Sequence, residues 1–330
     1  MSRRRPMFGV SALSAMARLA LFSFVLFGLS FSGIVSFRAA EPPPPKKLQV
    51  VTTIFPIYCF ASGVVGVEGE VHNLLPPNVG PHDYQLSPSD LRKIKDADIV
   101  IMNGLGLDSW VMKAFPERKD RASTSGVKQP ILVLGSLLKT NELIFVRPDL
   151  DLEGKHNHGH EHEHSPANPH IWLDPQLAIQ CVNLISNAVA DLDPAFKKNA
   201  AICAGRLTKL DAEIASQLVP VANKPFITQH DAFPYFVRRY QLKQVGIVEP
   251  TPDVPPSPRF LADLLKVIRE KNVQVIFNDP RASSRLVKQI AKDANIRTAE
   301  LDTLESGVLD PSGYEKGIRR NASTMVLELK

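Results

Sequence analysis

Cysteine is scarce in this chain: 330 residues hold only Cys59, Cys181 and Cys203. Three cysteines exclude a disulfide-stapled scaffold. Cys181 and Cys203 flank the LDP turn at 192–194, a placement that permits a bridge, although the preferred reading makes both small core residues. A basic excess is also missing from the body of the chain. The formal net charge is +5, but residues 1–40 contain Arg3, Arg4, Arg5, Arg18 and Arg38 and no acid. Taking those five from the 39 Lys+Arg leaves 34, level with the 34 Asp+Glu. With no surplus to neutralise phosphates, nucleic acid is excluded as the expected partner. No nucleophile-elbow motif occurs, and the one HExxH match, HEHEH at 160–164, falls inside a polar, aperiodic histidine tract instead of a helical pattern, which argues against metalloprotease or serine-hydrolase chemistry. General disorder is excluded too, because 44% hydrophobic and 22% charged residues are ordinary for a globular protein.

What is present begins with a targeting signal. RRR at 3–5 precedes the uncharged apolar run LALFSFVLFGLSFSGIVSF (19–37), followed by FRAA and the proline-rich EPPPPKK. This pattern predicts export, with cleavage near Ala40. The run is also long enough to serve as an uncleaved membrane anchor. No cysteine lies near its end, so a lipid-attached N-terminus is not indicated. Residues 41 onward are expected in a periplasmic or other extracytoplasmic space.

Short apolar runs then alternate with amphipathic stretches. QVVTTIFP (49–56), VHNLLP (71–76), ADIVIMNG (97–104) and PILVLG (130–135) read as buried strands, as do PFITQH (225–230), QVGIVEP (244–250), VQVIFNDP (273–280) and IRTAELD (296–302). Ser87, Pro88 and Asp90 mark a helix start over 87–97, and helices are predicted over 174–192, 194–218, 257–272 and 283–295. Strands alternating with helices predict an α/β chain with doubly wound parallel sheets in two lobes. The 194–218 helix would be about 37 Å long, enough to run the height of a domain. The expected divisions are a signal or anchor (1–40), an N-terminal lobe (41–193), a linker helix (194–219) and a C-terminal lobe (220–330).

The 149–167 stretch breaks this rhythm. It is polar, aperiodic, and holds His156, His158, His160, His162 and His164. Ligands of open α/β sheets bind beyond the carboxyl ends of the strands. His82, His230 and Asp302 fall at such places, and His170 follows the histidine tract. Three imidazoles and one carboxylate suit Zn²⁺, whereas more carboxylates would favour manganese. Asp279 also ends a strand, and reads as an alternative fourth ligand, a partner behind a histidine, or a turn former. His72 reads as a surface residue of its strand.

NLLPPNVGPHDYQLSPSDLRKIKDADIVIMNG, NPHIWLDP and TQHDAFPYFVRRYQL together resemble the zinc-binding solute-binding proteins of bacterial ABC importers, over residues 48–330. The resemblance implies two α/β lobes joined by a long rigid helix. It implies a transition-metal ion held between them and delivered to a membrane permease driven by a cytoplasmic ATPase. No enzymatic activity is expected, and a monomer is. By motif position, His82, His170 and His230 match the family histidines, and Asp302 matches the terminal acid. Manganese-type relatives usually carry Glu at the place of His230. Gly80 stands where many relatives have Asp, and Asp279-Pro280 where the zinc branch often has Glu-Pro. The tract matches the His-rich insertion of zinc-type relatives, read either as an accessory that captures or senses metal or as a weakly binding solvated loop. A manganese- or iron-binding importer component is the alternative, and a metal-binding adhesin of the same fold is a further one.

Overall fold

The computed structural model describes residues 46–82, 84–114, 130–145, 166–250 and 255–330. Residues 1–40, expected to be a signal or anchor, and the five tract histidines lie outside the described residues. Lys46–Lys330 is one compact unit, and among the described residues no helix is long and apolar enough to cross a membrane.

The first half runs β1 (Leu48–Thr52), α1 (Phe55–Val65), β2 (Gly69–Asn73), α2 (Pro88–Asp96), β3 (Ile99–Met102), α3 (Ser109–Ala114) and β4 (Ile131–Val133). Its four strands are parallel, in the order β2-β1-β3-β4. Two helices follow, α4 (Pro175–Val189) and α5 (Pro194–Leu218). The second half runs β5 (Pro225–His230), α6 (Pro234–Tyr240), β6 (Lys243–Glu249), α7 (Pro258–Glu270), β7 (Val275–Asn278), α8 (Arg285–Ala294), β8 (Arg297–Glu300) and α9 (Gly313–Leu329). The parallel order β6-β5-β7-β8 repeats that of the first sheet.

Local chemistry sets the helix starts. Ser87 and Asp90 form a reciprocal capping box around Pro88, and Ser257 caps α7 ahead of Pro258. Asp174 and Asp193 cap α4 and α5, each before a proline. Helix α1 has Pro56 in its first turn but no capping side chain. Its N-cap is Ile54, with no side-chain bond, and eight of its eleven residues are buried. A helix apolar on every side has no stripe to reveal it in the sequence.

Strand side chains alternate between two cores, as the two-residue period requires. In the first sheet Val50, Ile99 and Ile101 face inward, while Val51, Val100 and Met102 face α2 and α3. In the second, Phe226, Val275 and Phe277 face inward, and Ile227 and Ile276 pack beneath α7 and α8. The inward faces of both sheets belong to one continuous apolar cluster, filled by α1, α4, α5 and α9. Helix α9 packs on α5 and reaches α1, with Tyr314 edge-to-face on Phe60 at 4.9 Å. Cys59, Cys181 and Cys203 are buried free thiols, and burial pushes Cys59 and Cys181 up to about 12.

Asp211, in the C-terminal third of α5, accepts Gln176 Nε2 from α4 at 2.8 Å. From α6 it accepts Arg239 Nε at 3.0 Å and Tyr240 OH at 3.1 Å. The lobes therefore share a core and a polar anchor, which leaves no free hinge. Leu210→Ala on α5 should cost about 2–5 kcal/mol and lower one cooperative transition. Circular dichroism and tryptophan fluorescence should give coincident denaturation curves; two separated transitions would show that the lobes fold independently.

Candidate metal centre

The strand order reverses between β1 and β3 and again between β5 and β7, so each sheet opens a crevice at its carboxyl edge. The candidate residues collect there. His82 stands in the loop after β2, just past Pro81, whose carbonyl accepts Trp110 Nε1 at 2.9 Å. His230 is the last residue of β5. His170 opens a single helical turn, Ile171–Leu173, leading into α4. A cavity of about 380 Å³ is lined by His82, His230, Asp279, Arg281, Glu305 and Ser306 among others.

The acidic member differs from the expected one. Asp302 lies beyond β8, but both its oxygens bond the Arg281 guanidinium, the Nη2–Oδ2 contact at 3.0 Å. Asp279 is likewise occupied, accepting the Arg281 backbone N–H at 2.7 Å and Thr303 Oγ1 at 2.8 Å. Glu305, which sequence reasoning missed, meets the histidines instead. Its Oε1 lies 2.8 Å from His170 Nε2 and 3.4 Å from His82 Nε2. His82, His170 and Glu305 offer ligand atoms all within 4.8 Å of one another. His230 lies beside this group and outside that 4.8 Å set, its ring centroid 5.6 Å from that of His170.

The 302–305 segment is pinned residue by residue. Trp172 Nε1 donates to the Thr303 carbonyl at 2.8 Å, and the Phe55 N–H donates to the Glu305 carbonyl at 3.2 Å. Between them Leu304 adopts a left-handed conformation, φ 60°, that is unfavourable for leucine. Its side chain fits against α9 because residue 317 is glycine; a Cβ there would collide with it. This turn carries Glu305 into the cleft and leaves Asp302 outside. The only sequence signal was an acid three residues past the end of the IRTAELD run.

His170 is held from behind by Asn168, whose Oδ1 accepts the His170 backbone N–H at 3.0 Å and faces Nδ1 at 2.9 Å. Asn103, beyond β3, donates to the Pro169 carbonyl at 3.0 Å. Phe145 pairs with Ala167 in an antiparallel bridge beside this segment. His72 is exposed on β2, away from the cluster.

Burial would raise the Glu305 carboxyl, but bonding to His170 and His82 holds it well below the usual carboxylate range. Burial pushes His230 down to about 4; Glu305 opposes that shift, and His170 and His82 add to it. The His230 ring is therefore neutral at neutral pH, with a lone pair to offer. Between pH 6.5 and about 4 the unfolded chain binds a proton at residue 230 that the folded chain refuses, so stability falls as pH drops through that window. Denaturation of metal-free protein at pH 7 and pH 5 should show a larger loss for wild type than for His230→Gln. Equal losses would mean that burial does not control this imidazole.

Residues 50–327 match the family model described as zinc-uptake complex component A periplasmic. The zinc-binding protein AdcA of Streptococcus pyogenes is 34% identical over 266 residues, covering 78% of this chain and 51% of that protein. The chain thus spans about half the length of that relative. The high-affinity zinc uptake system protein ZnuA of Bacillus subtilis is 34% identical over 291 residues, 87% of each chain. Among solved structures, FpvC of Pseudomonas aeruginosa in complex with Mn²⁺ superposes with a TM-score of 0.71 at 26% identity, over 86% of this chain and 99% of that one. The Zn(II)-bound ZnuA-like domain of Streptococcus pneumoniae AdcA gives 0.66 at 27% identity over the same shares.

Proposed function

The chain belongs to the periplasmic zinc-uptake component A family, and on that premise we propose that it captures Zn²⁺ between its lobes for an ABC-type permease driven by a cytoplasmic ATPase. The observation that carries this reading is the setting of His170. Its ring stands between two acceptors, Asn168 Oδ1 at 2.9 Å and Glu305 Oε1 at 2.8 Å. A neutral imidazole has one N–H for these two places. The shortfall is one positive charge, which a metal ion on the ring would supply.

The spacing supports zinc. Two ligand atoms on a tetrahedral Zn²⁺ at about 2.0–2.1 Å stand roughly 3.3 Å apart, and the His82 and His170 nitrogens lie 3.4 and 2.8 Å from the Glu305 oxygen. His82, His170, His230 and Glu305 form the ligand set of this reading. Three imidazoles make it borderline-soft, which favours zinc over manganese or iron, the alternative cargoes. Four protein donors leave no open position for water, so zinc here is cargo and no catalytic step follows. The protein acts as an extracytoplasmic monomer, with His156, His158, His160, His162 and His164 as an accessory to the cleft. The shared core around α5 confines release to small lobe shifts and loop motion.

Titrating zinc and manganese into protein lacking residues 152–165 tests this. One tight zinc ion should remain, with manganese far weaker. Glu305→Gln should weaken zinc by more than about 100-fold, beyond the usual effect of an outer partner, and Asp302→Asn by less than about 10-fold. If tight binding vanishes with the tract, the cleft is not the zinc site.

A further inference from the structure

We infer that Asn168 is a positioning residue of the metal centre: it fixes which nitrogen of His170 faces the ion and ties that choice to the His230 loop. This rests on the zinc-capture reading above. Asn168 is 2% exposed and has no hydrogen-bonding capacity to spare. Its Nδ2 donates to the Asp231 carbonyl at 2.7 Å and reaches Asp231 Oδ2 at 3.3 Å. Its backbone N–H donates to the Ile144 carbonyl at 2.7 Å, and its own carbonyl accepts Tyr235 OH at 2.8 Å.

Amide orientation follows from these partners. Both groups at Asp231 are acceptors, so the NH₂ end of Asn168 must point there. The oxygen end then faces His170 and takes its backbone N–H. Glu305 Oε1 can also be met by His82 Nε2 at 3.4 Å, so the one N–H of a neutral His170 is assigned to Nδ1, 2.9 Å from Asn168 Oδ1, and an ion on Nε2 would fix it there. Nε2 is left to face His82, Glu305 and the ion. Asp231 directly follows His230 in sequence, so one amide connects the histidine loops of the two lobes. An acceptor behind a metal-bound imidazole holds the ring and strengthens its donor nitrogen, typically by about 10–100-fold in affinity.

The test uses the full chain with three versions of residue 168. Long-range ¹H–¹⁵N spectra of wild type should show a slowly exchanging Nδ1 proton on His170, with and without zinc. Asn168→Leu should lose that protected proton and weaken zinc by about 10–100-fold, with a folded circular dichroism spectrum. Asn168→Asp keeps an oxygen facing Nδ1 and should recover most of the affinity and the protected proton. A wild-type His170 whose Nδ1 carries the lone pair overturns the inference. So does equal weakening in the Leu and Asp variants, or a Leu variant within threefold of wild type. If wild type itself takes up no zinc, the capture reading fails, while the Nδ1 proton of the metal-free protein still decides the role of Asn168.

Discussion

A carboxylate taken out of water must be met by positive charge, and the architecture around the cleft serves that requirement at Glu305. Left alone, its burial would drive the group neutral. His170 and His82 hold it ionised, and a metal ion placed among the same atoms would do so more strongly. The acid comes from the second lobe, His170 and His82 from the first, and His230 from the second. The cleft is complete only when both halves stand in register.

That register is enforced by contacts crossing between the halves. Trp172 reaches the Thr303 carbonyl, Phe55 the Glu305 carbonyl, and Tyr314 OH the Trp172 carbonyl at 2.7 Å. Asp211 gathers α4 and α6 onto α5, and these are the helices that follow His170 and His230. One apolar cluster runs beneath both sheets. Under the proposed zinc capture, this arrangement would present a preorganised site instead of folding two separate lobes around an ion, which lowers the ordering cost of binding. It also keeps Arg281 on Asp302 and Asp279 on Thr303, holding two further carboxylates in bonds of their own.

Most of the fold was legible from pattern. The eight strand runs, the capped starts at Ser87 and Ser257 and the long 194–218 helix all correspond to observed elements, because period-two burial and Ser-Pro caps are local signals. Helix α1 was invisible, since its apolar surface has no periodic face. The short α3 and α6 and the C-terminal α9 were passed over as well. For the site, strand-end position led to His82, His170 and His230, which the structure brings together. The same rule chose Asp302, which the structure pairs with Arg281 while Glu305 faces the histidines, because strand ends do not show where a following loop turns.

Residue type and spacing thus determined by themselves two parallel α/β halves, a long helix between them, and histidines placed toward the cleft. Local propensity and side-chain chemistry act over a few residues, and the chain carries them openly. Only the tertiary structure decided which acid enters the cleft. That choice depends on Leu304 fitting against Gly317, Trp172 gripping Thr303 and Arg281 claiming Asp302. These partners lie 13, 131 and 21 residues apart in the chain, and no local signal encodes their meeting.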